Sequence, residues 1–178
     1  MKYIFSLVCL FFTVNTFAQQ ANMEVSTLRI GPFKINMDKA EAESNAHKPL
    51  LTAKESNQYN GETVVKYNNE LLKVTINLQY NGENKPEKET VTNLSTTSNK
   101  FRTKSGMGIG STRSELLNTY KDFSNFEVFA AWEENGEGRS KTISYFVLKD
   151  LDASTALSFK LVNNVVVEIS VYMDEGGC

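Results

Sequence analysis

A nine-residue pattern occurs twice in this chain. Phe33-Lys34-Ile35-Asn36-Met37-Asp38-Lys39-Ala40-Glu41 is echoed 74 residues later by Met107-Gly108-Ile109-Gly110-Ser111-Thr112-Arg113-Ser114-Glu115. An Asn-Asn hairpin signal follows each copy, at Asn68-Asn69 and at Asn163-Asn164. Such a repeat constrains the fold more than any single motif, because it predicts a chain built from two related units.

In the first unit, Asp38-Lys39-Ala40-Glu41 reads as a capping box opening a helix. The helix is expected to run to about Ala46, because His47-Lys48-Pro49 ends it. Thr27 to Ile35 is an extended lead-in, interrupted by Gly31-Pro32. After the helix come Val64 to Tyr67, the turn Asn68-Asn69, and Glu70 to Tyr80. Leu72, Val74, Ile76, Leu78 and Tyr80 alternate with polar residues, the period of a strand with one buried face. Asn can adopt the left-handed angles that a two-residue hairpin turn needs. The polar break at 81–86 separates a first unit, 19–86, from a second, 87–178.

The second unit opens with a strand around Glu89 to Thr96. A glycine-rich approach, Ser105 to Gly110, leads into the capping box Thr112-Arg113-Ser114-Glu115. Leu116, Leu117 and Tyr120 give that helix an apolar face. Phe126 to Trp132 and Lys141 to Leu148 flank a hairpin tip at Glu133 to Arg139. Leu157 to Leu161 and Val165 to Met173 flank Asn163-Asn164. Cap to Asn-Asn is 30 residues in the first unit and 51 in the second, a difference of 21. That is about one extra hairpin. The expected fold is α+β, with two tandem units. Each is a short helix packed on an antiparallel sheet, and the second carries the added hairpin.

Residues 1–18 read as a secretory signal, with Lys2 ahead of an apolar run and Thr16-Phe17-Ala18 at the end. Cleavage is expected after Ala18, with export to the periplasm or the medium. The apolar run is too short for a span of about 20 residues. Cys9 leaves with the signal and sits wrongly for lipidation. The remaining chain has 18 basic and 21 acidic residues, which does not favour nucleic acid. It keeps one cysteine, Cys178, which cannot form an intramolecular disulfide. Cys178 is either a dimerising thiol or an inconsequential end.

Gly108-Ile109-Gly110-Ser111-Thr112, Glu115-Leu116-Leu117, Phe159-Lys160-Leu161 and Val167-Glu168-Ile169 together resemble the β-lactamase-inhibitory-protein-like fold. The unit is similar to that of small outer-membrane assembly lipoproteins of the SmpA/OmlA type. The resemblance covers the second unit well and the first in part. It implies a tandem domain that binds other proteins and names no target.

No motif points to catalysis, a cofactor or a metal. Gly106 to Ser111 lacks the spacing of a nucleotide loop and reads as a tight turn before a helix. His47 is the only histidine, so a zinc motif is not available from imidazoles. Glu133, Glu134 and Glu137 read as a solvated hairpin tip. The aromatic residues carry more. Phe126 to Trp132 is apolar on both strand faces, so one face needs cover from the other unit or from a partner. Phe129, Trp132, Glu134, Arg139, Tyr145 and Tyr172 are the candidate binding residues. The expected function is an exported, non-enzymatic protein-binding module, envelope-associated or inhibitor-like. The alternatives are a small-ligand carrier with its pocket between the units and a small hydrolase.

Overall fold

The structure is a computed structural model that describes residues 23–56, 61–79, 88–133, 136 and 138–174. The expected signal 1–18, the break at 81–86, Glu134, Glu137 and Cys178 lie outside the described residues. The fold is α+β and dominated by antiparallel sheet. Strands β4 (Gly61–Tyr67), β5 (Glu70–Gln79), β6 (Lys88–Thr96), β8 (Phe126–Trp132), β9 (Arg139–Asp150), β10 (Thr155–Val162) and β11 (Val165–Met173) form one seven-stranded sheet. Its order is β4-β5-β6-β11-β10-β9-β8, antiparallel throughout. A second, small sheet joins β3 (Phe33–Lys34), β2 (Arg29–Ile30), β1 (Glu24–Val25) and β7 (Arg102–Thr103), with β1 and β7 parallel. The helices are α1 (Lys39–Ala46), α2 (Ala53–Ser56) and α3 (Arg113–Tyr120).

Both Asn-Asn hairpins form as the sequence predicts. Asn68, Asn69, Asn163 and Asn164 all take positive φ, between 47° and 68°. This is the geometry of a two-residue turn whose twist matches that of its strands. α1 ends where expected: His47 adopts left-handed φ and ψ of 52° and 33°.

The start of α1 departs from expectation. Asp38 makes no side-chain capping bond, because its carboxylate pairs instead with Lys88 of β6. The capping box lies one helix later. The Thr52 amide donates to Glu55 Oε2 at 2.9 Å, and the Glu55 amide donates to Thr52 Oγ1 at 3.3 Å. Thr112 and Glu115 make the same reciprocal pair, as expected, at 2.7 and 3.2 Å. On α3 only Leu116 is fully buried, while Leu117 is exposed.

The two copies of the sequence pattern make the same contacts. Asn36 donates its amide to the Val91 carbonyl at 2.8 Å, and the Val91 amide donates to Met37 at 2.9 Å. Gly110 and Ser111 make this pair of bonds with Val166, both at 2.9 Å. Asn36 and Gly110 each take positive φ, 64° and 87°. The next residue on each receiving strand is a bulge. Register shifts past Thr92 on β6, where Thr75 faces Asn93 and Ile76 faces Val91, and past Val167 on β11, where Lys160 faces Glu168 and Leu161 faces Val166.

One apolar cluster joins the helices, the lead-ins and one face of the large sheet. It includes Phe33, Ala42, Leu72, Leu94, Leu116, Phe146, Phe159 and Ile169. Two departures from the expected strand pattern appear, the first at the β11 bulge. Val166 enters this core while Val165 and Val167 are exposed, so the simple alternation expected for β11 fails at its start. Leu78, expected on the buried face of β5, is exposed near the strand's end.

Candidate functional site

Side chains on one face of a strand recur every second residue, so the register defines both faces of the sheet. Core residues Phe146, Phe159 and Ile169 share one face. The opposite face carries a row that crosses all seven strands: Glu127, Val147, Ser158, Ser170, Ser95, Lys73 and Val64. Beside it runs Lys149, Ala156, Tyr172, Asn93, Thr75 and Glu62. On its other side run Phe129, Tyr145, Lys160 and Glu168. Val147 and Ala156 stand on this second face, outside the core cluster, and are themselves buried.

This face is a trough with a small-residue floor. Ser95 and Ser158 are only 8 % and 7 % exposed. Phe129 and Tyr145 form a wall, their ring centroids 5.6 Å apart and tilted by 33°. Tyr172 stands on the far side of the floor. The resulting open groove, about 330 Å³, is lined by Asn93, Phe129, Tyr145, Ser158, Lys160, Glu168, Ser170 and Tyr172. Asn93 Oδ1 is buried without a hydrogen-bond partner among the described residues. Leaving such an acceptor unpaired costs about 1–3 kcal/mol.

The structure thus gathers three of the six sequence candidates, Phe129, Tyr145 and Tyr172, in one groove. Trp132 and Arg139 are apart from it. They face each other across the β8–β9 end, with the guanidinium 4.0 Å from the indole centroid and bonded to the Ala130 carbonyl at 3.0 Å. Arg139, expected at a loop tip, begins β9. Glu134 lies outside the described residues. Sequence reading missed Asn93, Ser158, Lys160, Glu168 and Ser170. The alternation of Ser158 and Lys160 with Leu157, Phe159 and Leu161 held the signal, since the polar phase of a strand names its solvent face.

Charge on this face is paired at its margin. Lys149 Nζ lies 2.8 Å from Glu127 and 3.7 Å from Asp174. The bond to Glu127 is the main cause holding the Lys149 pKa above its usual value. Burial, then the Asp174 carboxylate, pushes the Tyr172 phenol up. Both groups keep their ordinary neutral-pH charge, so neither is poised for proton transfer.

The glycine-rich turn before α3 is internally bonded. The amides of Gly106, Met107, Gly108, Gly110, Ser111, Thr112 and Arg113 all donate within the protein. Arg102 stitches the turn, donating to the Gly106 and Ile109 carbonyls at 3.2 and 2.9 Å. A phosphate cradle needs these amides free; here they hold the turn.

His47 is exposed at the end of α1. The described residues contain no group of three or more His, Cys, Asp or Glu placed to hold a metal. They also contain no helix long and apolar enough to cross a membrane. Comparison with protein-family models, with curated proteins and with solved structures finds no match.

Proposed function

We propose that this chain is an exported, non-enzymatic protein-binding module that presents the open face of its large sheet to a partner protein. The observation that carries this reading is the trough itself: an aromatic wall, Phe129 and Tyr145, beside an open groove lined by Ser158 and Ser170. Aromatic anchors around a recess are the usual energetic centre of a protein interface. Seven strands at about 4.8 Å spacing make a face roughly 29 Å across, the width of a protein footprint. The unpaired Asn93 Oδ1 gives an occupant a bond to regain.

One further observation supports a non-catalytic role. Among the described residues, the groups with displaced pKa values serve caps, ion pairs or buried phenols: Glu55 and Glu115, Lys39 and Lys149, Tyr120 and Tyr172. Of these only Tyr172 lines the trough, with Lys149 at its margin. Export rests on the leader-like residues 1–18.

We also propose that the chain is a tandem repeat in which β6 and β11 are the equivalent strands. Each receives a lead-in at a valine, bulges at the next residue, and continues into the core with Leu94 or Ile169. The resemblance to inhibitor-like and assembly-lipoprotein domains supports the same reading.

The test is capture of envelope proteins by the wild-type chain and by Ser170→Arg. An arginine on the trough floor projects toward solvent and obstructs the face. Loss of a reproducible partner at unchanged melting temperature supports the proposal. Capture that is equal for both chains contradicts it.

A further inference from the structure

The two edges of the large sheet are treated differently. At β4 the edge is guarded. Lys48 Nζ donates to the Val64 carbonyl at 3.2 Å, the Leu51 amide donates to Thr63 Oγ1 at 3.0 Å, and Thr52 bridges to Ile76 beyond the strand's end. At β8 the Lys149 amide donates to the Asn125 carbonyl at 2.9 Å. Bonded pairs alternate along an antiparallel ladder. The bonded pairs of β8 are therefore Glu127 with Val147 and Phe129 with Tyr145. The backbone groups of Phe126, Val128 and Ala130 then point out of the sheet. Among the described residues only Arg139 reaches them, at the Ala130 carbonyl.

Natural edges are blunted by charge, proline, bulges or cover, because a free apolar edge pairs with another chain. From Phe126 to Ala130 this one has no proline, no bulge and, among the described residues, no cover beyond the Arg139 guanidinium at its last carbonyl. Its single charged residue, Glu127, is already paired with Lys149 at 2.8 Å. Phe126 and Val128 are only half-buried at the rim of the core.

We propose that β8 is a dimer interface, on which a second copy of this chain adds its own β8 antiparallel to form one continuous sheet. The regular stretch Phe126 to Ala130 is centred on Val128, so a two-fold axis falls there. Val128 bonds Val128 of the other copy, and Phe126 bonds Ala130. Glu127 then lies beside Phe129 of the other copy, in the closer, non-bonded position. A register centred on Glu127 would oppose two carboxylates and is disfavoured. This interface uses the sheet edge and does not depend on the trough's having a partner.

The register makes an unusual prediction about charge. Phe129 is 42 % exposed, so either sign is tolerated by the monomer fold. Phe129→Glu places an acid beside Glu127 of the other copy, twice per dimer. Phe129→Lys places an opposite charge there. Sedimentation velocity in reducing buffer, over about 1–100 µM, reads the mass without any Cys178 disulfide. A dimer is expected for wild type, with dissociation raised at least about tenfold by Phe129→Glu and little changed by Phe129→Lys. A monomer throughout this range overturns the proposal, even if it captures an added peptide strand. So does equal weakening by both substitutions, which would mean non-specific apolar association.

Discussion

Ser95 and Ser170 are direct partners across β6 and β11, at the centre of the open sheet face. Each lies four residues beyond the valine, Val91 or Val166, that receives a lead-in. The same position of the two proposed repeats thus meets itself at the sheet's midline. Small side chains there keep the middle of the face low. Height comes from Phe129, Tyr145 and Tyr172, which only the later strands supply.

The wall of this trough should contribute little to folding and much to binding. Phe129 and Tyr145 are cross-strand partners on a solvent face. Pairs of this kind contribute about 0.2–1 kcal/mol relative to alanine. A double-mutant cycle of Phe129→Ala and Tyr145→Ala, read by urea denaturation, should give a coupling in that range. A coupling of several kcal/mol would mean that the pair is a core element.

Gly108 should be intolerant of a side chain. A Cβ there would lie 2.8 Å from both Arg102 Cδ and the Phe101 carbonyl oxygen. The arginine is fixed by its own bonds to the turn, so neither neighbour can yield freely. Gly108→Ala should destabilise the fold by about 1–3 kcal/mol. Gly110→Ala meets no neighbouring atom and costs strain alone, from its φ of 87°. A calorimetric melting temperature for Gly108→Ala equal to that of wild type would refute the packing argument.

Acid should weaken the fold through Glu55. Its carboxyl is held at about 2, first by the bond from Lys39, then by the Thr52 amide and hydroxyl. A depressed carboxyl pKa stabilises the fold above its unfolded value, and that contribution is lost as pH falls through the folded value. The window runs from the ordinary carboxyl value of 4.5 down to about 2. Glu55 is half-exposed, so salt should shrink the effect. Urea midpoints of Glu55→Gln should therefore depend less on pH across this window than those of wild type. Parallel profiles would contradict this role.

The helix starts should respond unequally. Thr112→Ala removes a capping bond and should cost about 1 kcal/mol. Asp38→Ala removes only an exposed ion pair with Lys88, an interaction worth about 0–1 kcal/mol. Chemical denaturation of the two variants checks the order, and a larger loss for Asp38→Ala would reverse it.

Much of the architecture was legible because local chemistry agreed with the fold. Asn-Asn pairs marked both tight hairpins, Thr112 and Glu115 marked a capped helix, and β5, β10 and β11 showed strand alternation. Three features were hidden. The strand at Glu89 to Thr96 was read, but not its bulge at Thr92, which sets Val91 and Leu94 three residues apart on one face. The box Thr52-Ala53-Lys54-Glu55 opens a helix of a single turn, with too little periodicity to announce itself. Asp38 looked like a cap, but Lys88, distant in sequence, claims its carboxylate. The trough was half legible. Aromatic residues drew attention to Phe129, Tyr145 and Tyr172, whereas the serine floor emerges only when register sets three strands side by side.

The central claim is that the open face, and not the helix side, meets a partner. Site-specific photo-crosslinking in the cell that makes the protein tests it most directly. A photoreactive side chain replaces Tyr145 or Tyr172 in the trough, and Leu117 or Leu151 as exposed controls away from it. The account predicts one discrete protein adduct from both trough positions, absent from the controls and abolished by Ser170→Arg. Adducts that arise equally from all four positions, or from the controls alone, would contradict it.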